Sequence, residues 1–107
     1  MDMKTLMKFI EELDHKIKNY YGNYPDQEKR ILARTVKLNE EIGELCDCIL
    51  SYTSFQRKEK LNKKNLEDLE EEFADVIITT MLLAKSMNIN IEESLLKKIK
   101  KVDKRHK

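Results

Sequence analysis

Turn-forming residues are nearly absent from this chain: two glycines and one proline interrupt 107 residues that abound in Leu, Lys, Glu, Ile and Met. Sheets need many more turns, so the chain is restricted to a few long helices and an all-α fold. Its length fits one domain, residues 1–107, with a real core and a large exposed surface. Leu6, Ile10, Leu13 and Ile17 recur at helical spacing and predict a first helix from about residue 3 to about residue 21. The segment YYGNYP, residues 20–25, ends it. Pro25 suits the first turn of a long second helix, whose apolar stripe runs through Leu38, Ile42, Leu45 and Ile49. The Lys-rich stretch 56–64 has no apolar face and reads as a solvated loop or a frayed helix end. Asn65 with Asp68 predicts the cap of a third helix, with a stripe through Leu66, Leu69, Phe73, Val76, Thr80, Leu83 and Met87. Ile77, Ile78, Met81 and Leu82 then wrap its C-terminal half in apolar residues, as in a central helix or a subunit interface. Asn88, Ile89 and Asn90 break the pattern. Asn90 with Glu93 caps a last helix through Leu95, Ile99 and Val102, and the tail KKVDKRHK is expected to fray unless it is tied down.

Charged residues make up 38% of the chain, but 21 Lys and Arg nearly balance 20 Asp and Glu, so charge alone argues for neither a nucleic-acid polymer nor a membrane as partner. The longest apolar stretch, Val76 to Ala84, is far too short to span a bilayer. The N-terminus acquires acidic residues too early for the apolar region of a signal peptide, and a cytoplasmic protein is expected. Cys46 and Cys48, two apart on a helix, point in divergent directions and read as ordinary reduced thiols.

The informative feature is a near-repeat, LNEEIGEL at residues 38–45 and LEEEFADV at residues 69–76. At about 100° per residue, Glu41 lies about 70° from the centre of its stripe and Glu44 about 60° further round, on one flank. Glu72 and Asp75 stand at matching angles on the third helix. If the two stripes pack as antiparallel neighbours, the four carboxylates converge beside the seam. Such a cluster requires a cation, because uncompensated charges at a partly desolvated site would take up protons or disperse into solvent. All the candidate ligands are hard oxygens, which favours Mg²⁺, or Mn²⁺, over zinc or copper. Glu40 and Glu71 lie about 160° from their stripe centres and are expected to face water. An i, i+3 acidic pair on its own is common on solvated helix faces; two copies in one apolar frame, each with a small residue (Gly43, Ala74) at the same place, are not.

These residues, Glu40-Glu41-x-x-Glu44 followed by Glu72-x-x-Asp75, resemble the signature of the MazG-like, all-α nucleotide pyrophosphohydrolase superfamily. The resemblance runs from Leu38 to about Arg105 and includes EEIGEL, EEEFADVI and LAKSMNINIEESL; the N-terminal third is similar only in being helical. It implies a four-helix bundle that hydrolyses a nucleoside triphosphate between the α and β phosphates, giving the monophosphate and pyrophosphate. It further implies that Glu41, Glu44, Glu72 and Asp75 bind Mg²⁺; one carboxylate, with Glu41 or Glu44 the nearest candidates and Glu40 a further one, is expected to act as general base toward water. Lys101 and Arg105, i and i+4 on the last helix, resemble the basic pair that some members direct at substrate phosphates. The asparagine that often precedes such a Lys has no counterpart, residues 99 and 100 being Ile and Lys, and basic residues here also complement the helix dipole. Tyr20, Tyr21 and Tyr24 are candidates for stacking on the base or for packing. Family substrates include deoxynucleotides, dUTP and dCTP among them, and damaged or non-standard nucleotides.

Two other readings compete. A di-iron site would need inward-facing histidines, but His15 lies about 170° from its stripe and His106 is penultimate. A non-enzymatic helical interaction module that dimerises through the third helix explains the apolar surround but not the repeated register of acids. For the enzyme, a homodimer or homotetramer is expected, because one small helical domain encloses little of a nucleotide.

Overall fold

The computed structural model describes residues 1–21, 26–58 and 63–106, and among them holds four helices and no strand. These are α1 (Met3–Tyr21), α2 (Gln27–Lys58), α3 (Lys63–Ser86) and α4 (Ile91–Arg105). None is long and apolar enough to cross a membrane.

Short polar side chains set the helix starts. The Asp2 carboxylate accepts from the Thr5 N–H at 2.9 Å and opens α1. Pro25 and most of the YYGNYP turn, Tyr24 included, lie outside the described residues. Asp26 begins α2, accepting from the Glu28 N–H at 3.0 Å through its side chain and from the Arg30 N–H at 3.0 Å through its carbonyl. Of the polar stretch 56–64, residues 56–58 extend α2 and residues 63–64 open α3, while residues 59–62 lie outside the described residues. Asn65 therefore sits inside the first turn of α3 rather than at its cap. Two lysines, good helix formers, carry the helix further toward the N-terminus than the capping pattern suggests.

The predicted break after α3 is present. Asn88 adopts a left-handed φ of 57°. The Ile89 N–H bonds back to the Ala84 carbonyl at 3.0 Å and the Asn88 N–H to the Lys85 carbonyl at 3.1 Å, closing the helix with a six-to-one and five-to-two pair. Asn90 then caps α4, its side chain accepting from the Glu93 N–H at 3.1 Å. The tail does not fray before its end, since α4 continues to Arg105.

α2 and α3 form an antiparallel hairpin. The Gln27 amide donates to the Ser86 carbonyl at 2.9 Å at one end, and two turns further along α2 the Arg34 guanidinium donates to the Leu82 carbonyl at 2.9 Å. The seam is rotated from the apolar stripes by about 50° on both helices. On α2 it follows Arg34, Leu38, Glu41, Leu45, Cys48 and Tyr52; on α3 it follows Asn65, Leu69, Glu72, Val76, Thr79 and Leu83. Glu41 and Glu72 thus move from the flank into the seam. Ile42, Ile49, Leu66, Phe73 and Ile77 are left 37–55% exposed.

Two contacts cause this rotation. α1 packs its stripe across α3, where Ile10, Met81 and Leu82 form a buried cluster flanked by Leu6, Met7, Leu13, Ile17 and Ile78. That claims the Ile78 and Met81 face and makes α3 the central helix. A buried ion pair joins α1 to α2: Arg34 meets Asp14 at 2.6 Å, both residues under 10% exposed. α4 leaves through Ile91 and buries no residue of its own, so Leu95, Leu96, Ile99 and Val102 stay exposed. The four helices of the expected bundle are present; within one chain three of them pack closely.

Candidate metal centre

The hairpin register sets Glu41 opposite Asp75 and Glu44 opposite Glu72. Each of Glu41, Glu72 and Asp75 offers a carboxylate oxygen within 4.8 Å of the others. Glu41 is the most enclosed acid of the group at 6% exposure, and Glu72 is half-buried. Lys37 reaches Oε1 of Glu41 at 3.1 Å, while Oε2 of Glu41 and Oε2 of Glu72 are buried with no hydrogen-bond partner among the described residues. Two orphaned acceptors side by side in a seam are costly, and a cation between them removes the cost. The donor set, all carboxylate oxygen, fits a hard divalent ion.

Electrostatics points the same way. Burial pushes the Glu72 carboxyl above its ordinary range, and the charges of Glu44, Asp75, Glu41 and Asp68 push it further. Carboxylates held together make one another harder to ionise until a positive charge arrives. Lys37 supplies part of that charge, and its bond to Glu41 raises its own pKa.

Of the residues singled out from sequence, Glu41, Glu72 and Asp75 come together. Glu44 is exposed and outside the three-oxygen cluster, although its charge, after burial, does most to raise Glu72. Glu40 is exposed as expected, 3.8 Å from Lys37. Lys101 and Arg105 lie exposed on α4, and no ion pair or hydrogen bond among the described residues joins them to the acidic cluster. Tyr20 and Tyr21 fall in the last turn of α1. His15 is exposed and His106 is the exposed C-cap of α4, in keeping with the rejection of a di-iron site. Cys46 and Cys48 are both free. Packing does not require the glycine at position 43, since an added Cβ there would meet nothing within 4 Å among the described residues.

Lys37 was not singled out from sequence. The signal was available in its place four residues before Glu41, the spacing of an i, i+4 pair. A cavity of about 220 Å³ adjoins the centre one turn further along the seam, lined by Asp47, Cys48, Ser51, Tyr52, Asn65 and Asp68. A larger one of about 630 Å³ lies elsewhere, between α1 and the junction of α3 with α4.

Residues 28–107 match the model of a known family, described as the MazG nucleotide pyrophosphohydrolase domain. Over 87 residues the chain is 28% identical to the uncharacterized protein YpjD of Bacillus subtilis (strain 168), a stretch covering 81% of this chain and 77% of that protein. No solved structure matches the chain.

Proposed function

The chain belongs to the MazG nucleotide pyrophosphohydrolase family, and from that premise we propose that it is a Mg²⁺-dependent nucleoside triphosphate pyrophosphohydrolase cleaving between the α and β phosphates. The observation that carries the proposal is the pair of buried, unpartnered oxygens of Glu41 and Glu72 with Asp75 beside them. Glu41, Glu72 and Asp75 would hold the cation, with Mn²⁺ as a substitute, and Glu44, exposed one turn from Glu41, would be the fourth ligand. The chemistry a cation would supply there is neutralisation of the phosphate chain and of the charge on the departing pyrophosphate. Glu40, in the same turn, is available to accept the proton of the attacking water. The bond from water oxygen to the α-phosphorus forms as that from the α-phosphorus to the bridging oxygen breaks. Lys37, one turn before Glu41 and mostly exposed, would be placed to meet the β and γ phosphates.

The test is pyrophosphate release from a panel of standard, deoxy and modified nucleoside triphosphates with Mg²⁺. The expected products are monophosphate and pyrophosphate, with release lost on chelation. Silence across the panel from folded protein would favour the interaction module instead.

We also propose that the working form is a homodimer or homotetramer. Ile42, Ile49, Phe73 and Ile77 expose one apolar face of the hairpin, and Leu95, Leu96, Ile99 and Val102 expose another on α4. No large side chain among the described residues is fully enclosed, so one copy makes a thin core. Lys101 and Arg105 would reach a triphosphate if α4 docks against a second copy. A solution mass of two or four chains is expected, and a monomeric mass at full activity would remove this part.

A further inference from the structure

We infer that the cavity between the second half of α2 and the first half of α3 is the nucleobase subsite, and that it selects cytosine nucleotides over uracil and thymine nucleotides. This rests on the proposed pyrophosphohydrolase reading. The argument begins with distance along the hairpin. Cys48 lies one turn beyond Glu44, and Asp68 one turn before Glu72, so this level stands about 6 Å from the carboxylates along the axis; Ser51 and Asn65 stand about 10 Å away. The run of atoms from an α-phosphate through the sugar to the glycosidic nitrogen has that length. A nucleotide whose α-phosphate lies at the acidic centre therefore puts its base in this cavity or in the opposite direction.

Charge decides between the two. One turn in the opposite direction from the centre stands Lys37, 58% exposed at its side chain and, among the described residues, paired only with Glu40 and Glu41. At the cavity end stand Asp47 and Asp68, and among the described residues no Lys or Arg lines it. A triphosphate chain is drawn toward Lys37 and repelled from the two aspartates, which leaves the cavity to the uncharged base.

The lining then reads the base. At about 220 Å³ the cavity is smaller than pockets for drug-sized ligands and suits one six-membered ring. Tyr52 is half-buried and offers a ring to stack on. The exposed carboxylate of Asp68 can only accept hydrogen bonds when ionised, so it pairs with the exocyclic amine of cytosine. Uracil and thymine present a carbonyl at the same place, and an acceptor facing a carboxylate is repelled.

The experiment compares kcat/KM for dCTP and dUTP in the wild type and in Asp68→Asn, whose carboxamide can donate as well as accept. We expect the wild type to favour dCTP by about tenfold or more, and the variant to bring the ratio close to one. Calorimetric titration with dCMP and dUMP gives the same comparison without turnover. Release of pyrophosphate with equal ratios in both proteins would overturn the subsite while leaving the reaction standing. Failure to hydrolyse any nucleotide would strike the reaction, and the monophosphate titrations would still decide the subsite: no preference for dCMP that Asp68→Asn removes means the inference is wrong. Asp68 is exposed, so the variant is expected to fold, and its melting curve checks that.

Discussion

Glu41→Gln will lower metal-dependent pyrophosphate release by about a hundredfold or more, since even residues that only support metal ligands cost 10–100-fold when changed. Gln keeps the shape and removes the charge, at the most enclosed acid of the centre. Mg²⁺ or Mn²⁺ should raise the melting temperature of the wild type and leave that of the variant almost unmoved. Glu71→Gln, on the exposed face of α3, supplies the control and should behave as wild type. The metal-free protein adds a second reading through Glu72. Its carboxyl is raised in the fold by burial and by its acidic neighbours, so the folded state binds the proton more tightly than the unfolded one. Stability should therefore fall as pH rises from the ordinary Glu value of 4.5 through the raised value. Removing the Glu41 charge eases the repulsion and flattens that slope. A variant with wild-type release and an undiminished metal-induced shift in melting would dismiss the centre.

Most of the architecture was legible because it follows from what the chain lacks. With so few Gly and Pro residues, helix breaks had few places to fall, and the break at Asn88 to Asn90 is where local chemistry requires it. The acidic centre was legible because a repeated register survives a rotation of the helices: turning both by the same angle kept Glu41, Glu72 and Asp75 together. The rotation itself was not legible. An apolar stripe read on one helix assumes that apolar residues choose the buried face, whereas here Arg34 and Glu41 occupy it and Ile42 and Ile49 do not. The choice is made by a third helix, through Asp14 and through Ile10 against Met81, and such long-range partners leave no periodic trace in α2. Glu44 parted from the cluster for a similar reason, because angle on a wheel fixes where a side chain starts and not which way a long one turns. The reach of Lys101 and Arg105 depends on what covers α4, which one chain does not contain.

Asp14→Ala will destabilise the protein by about 3 kcal/mol or more, the cost of leaving a buried charge without its partner. Arg34 is 8% exposed, meets Asp14 at 2.6 Å, donates to the Leu82 carbonyl and has a buried Nη2 with no hydrogen-bond partner among the described residues. Without Asp14 the guanidinium must stay charged in the seam or pull α1 away from α2. In a chain of this size the loss corresponds to a fall in melting temperature of about 15 °C. The double variant Asp14→Leu, Arg34→Met should recover most of it, because apolar side chains of similar volume satisfy the same space without desolvating charge. pH separates this ion pair from simple packing. Burial raises the Asp14 carboxyl, but the hydrogen bond and charge of Arg34, with Lys18 at 3.4 Å, outweigh it and hold the group below its ordinary 3.8. A depressed carboxyl contributes stability above its unfolded value and loses it as pH falls through the folded one. The gap between wild type and Asp14→Ala should therefore be full at neutral pH and shrink in acid below 3.8. Equal stabilities at neutral pH, or a gap that widens on acidification, would show that α1 is held by the Ile10 cluster alone. In that case the rotation that carries Glu41 into the seam would need another cause.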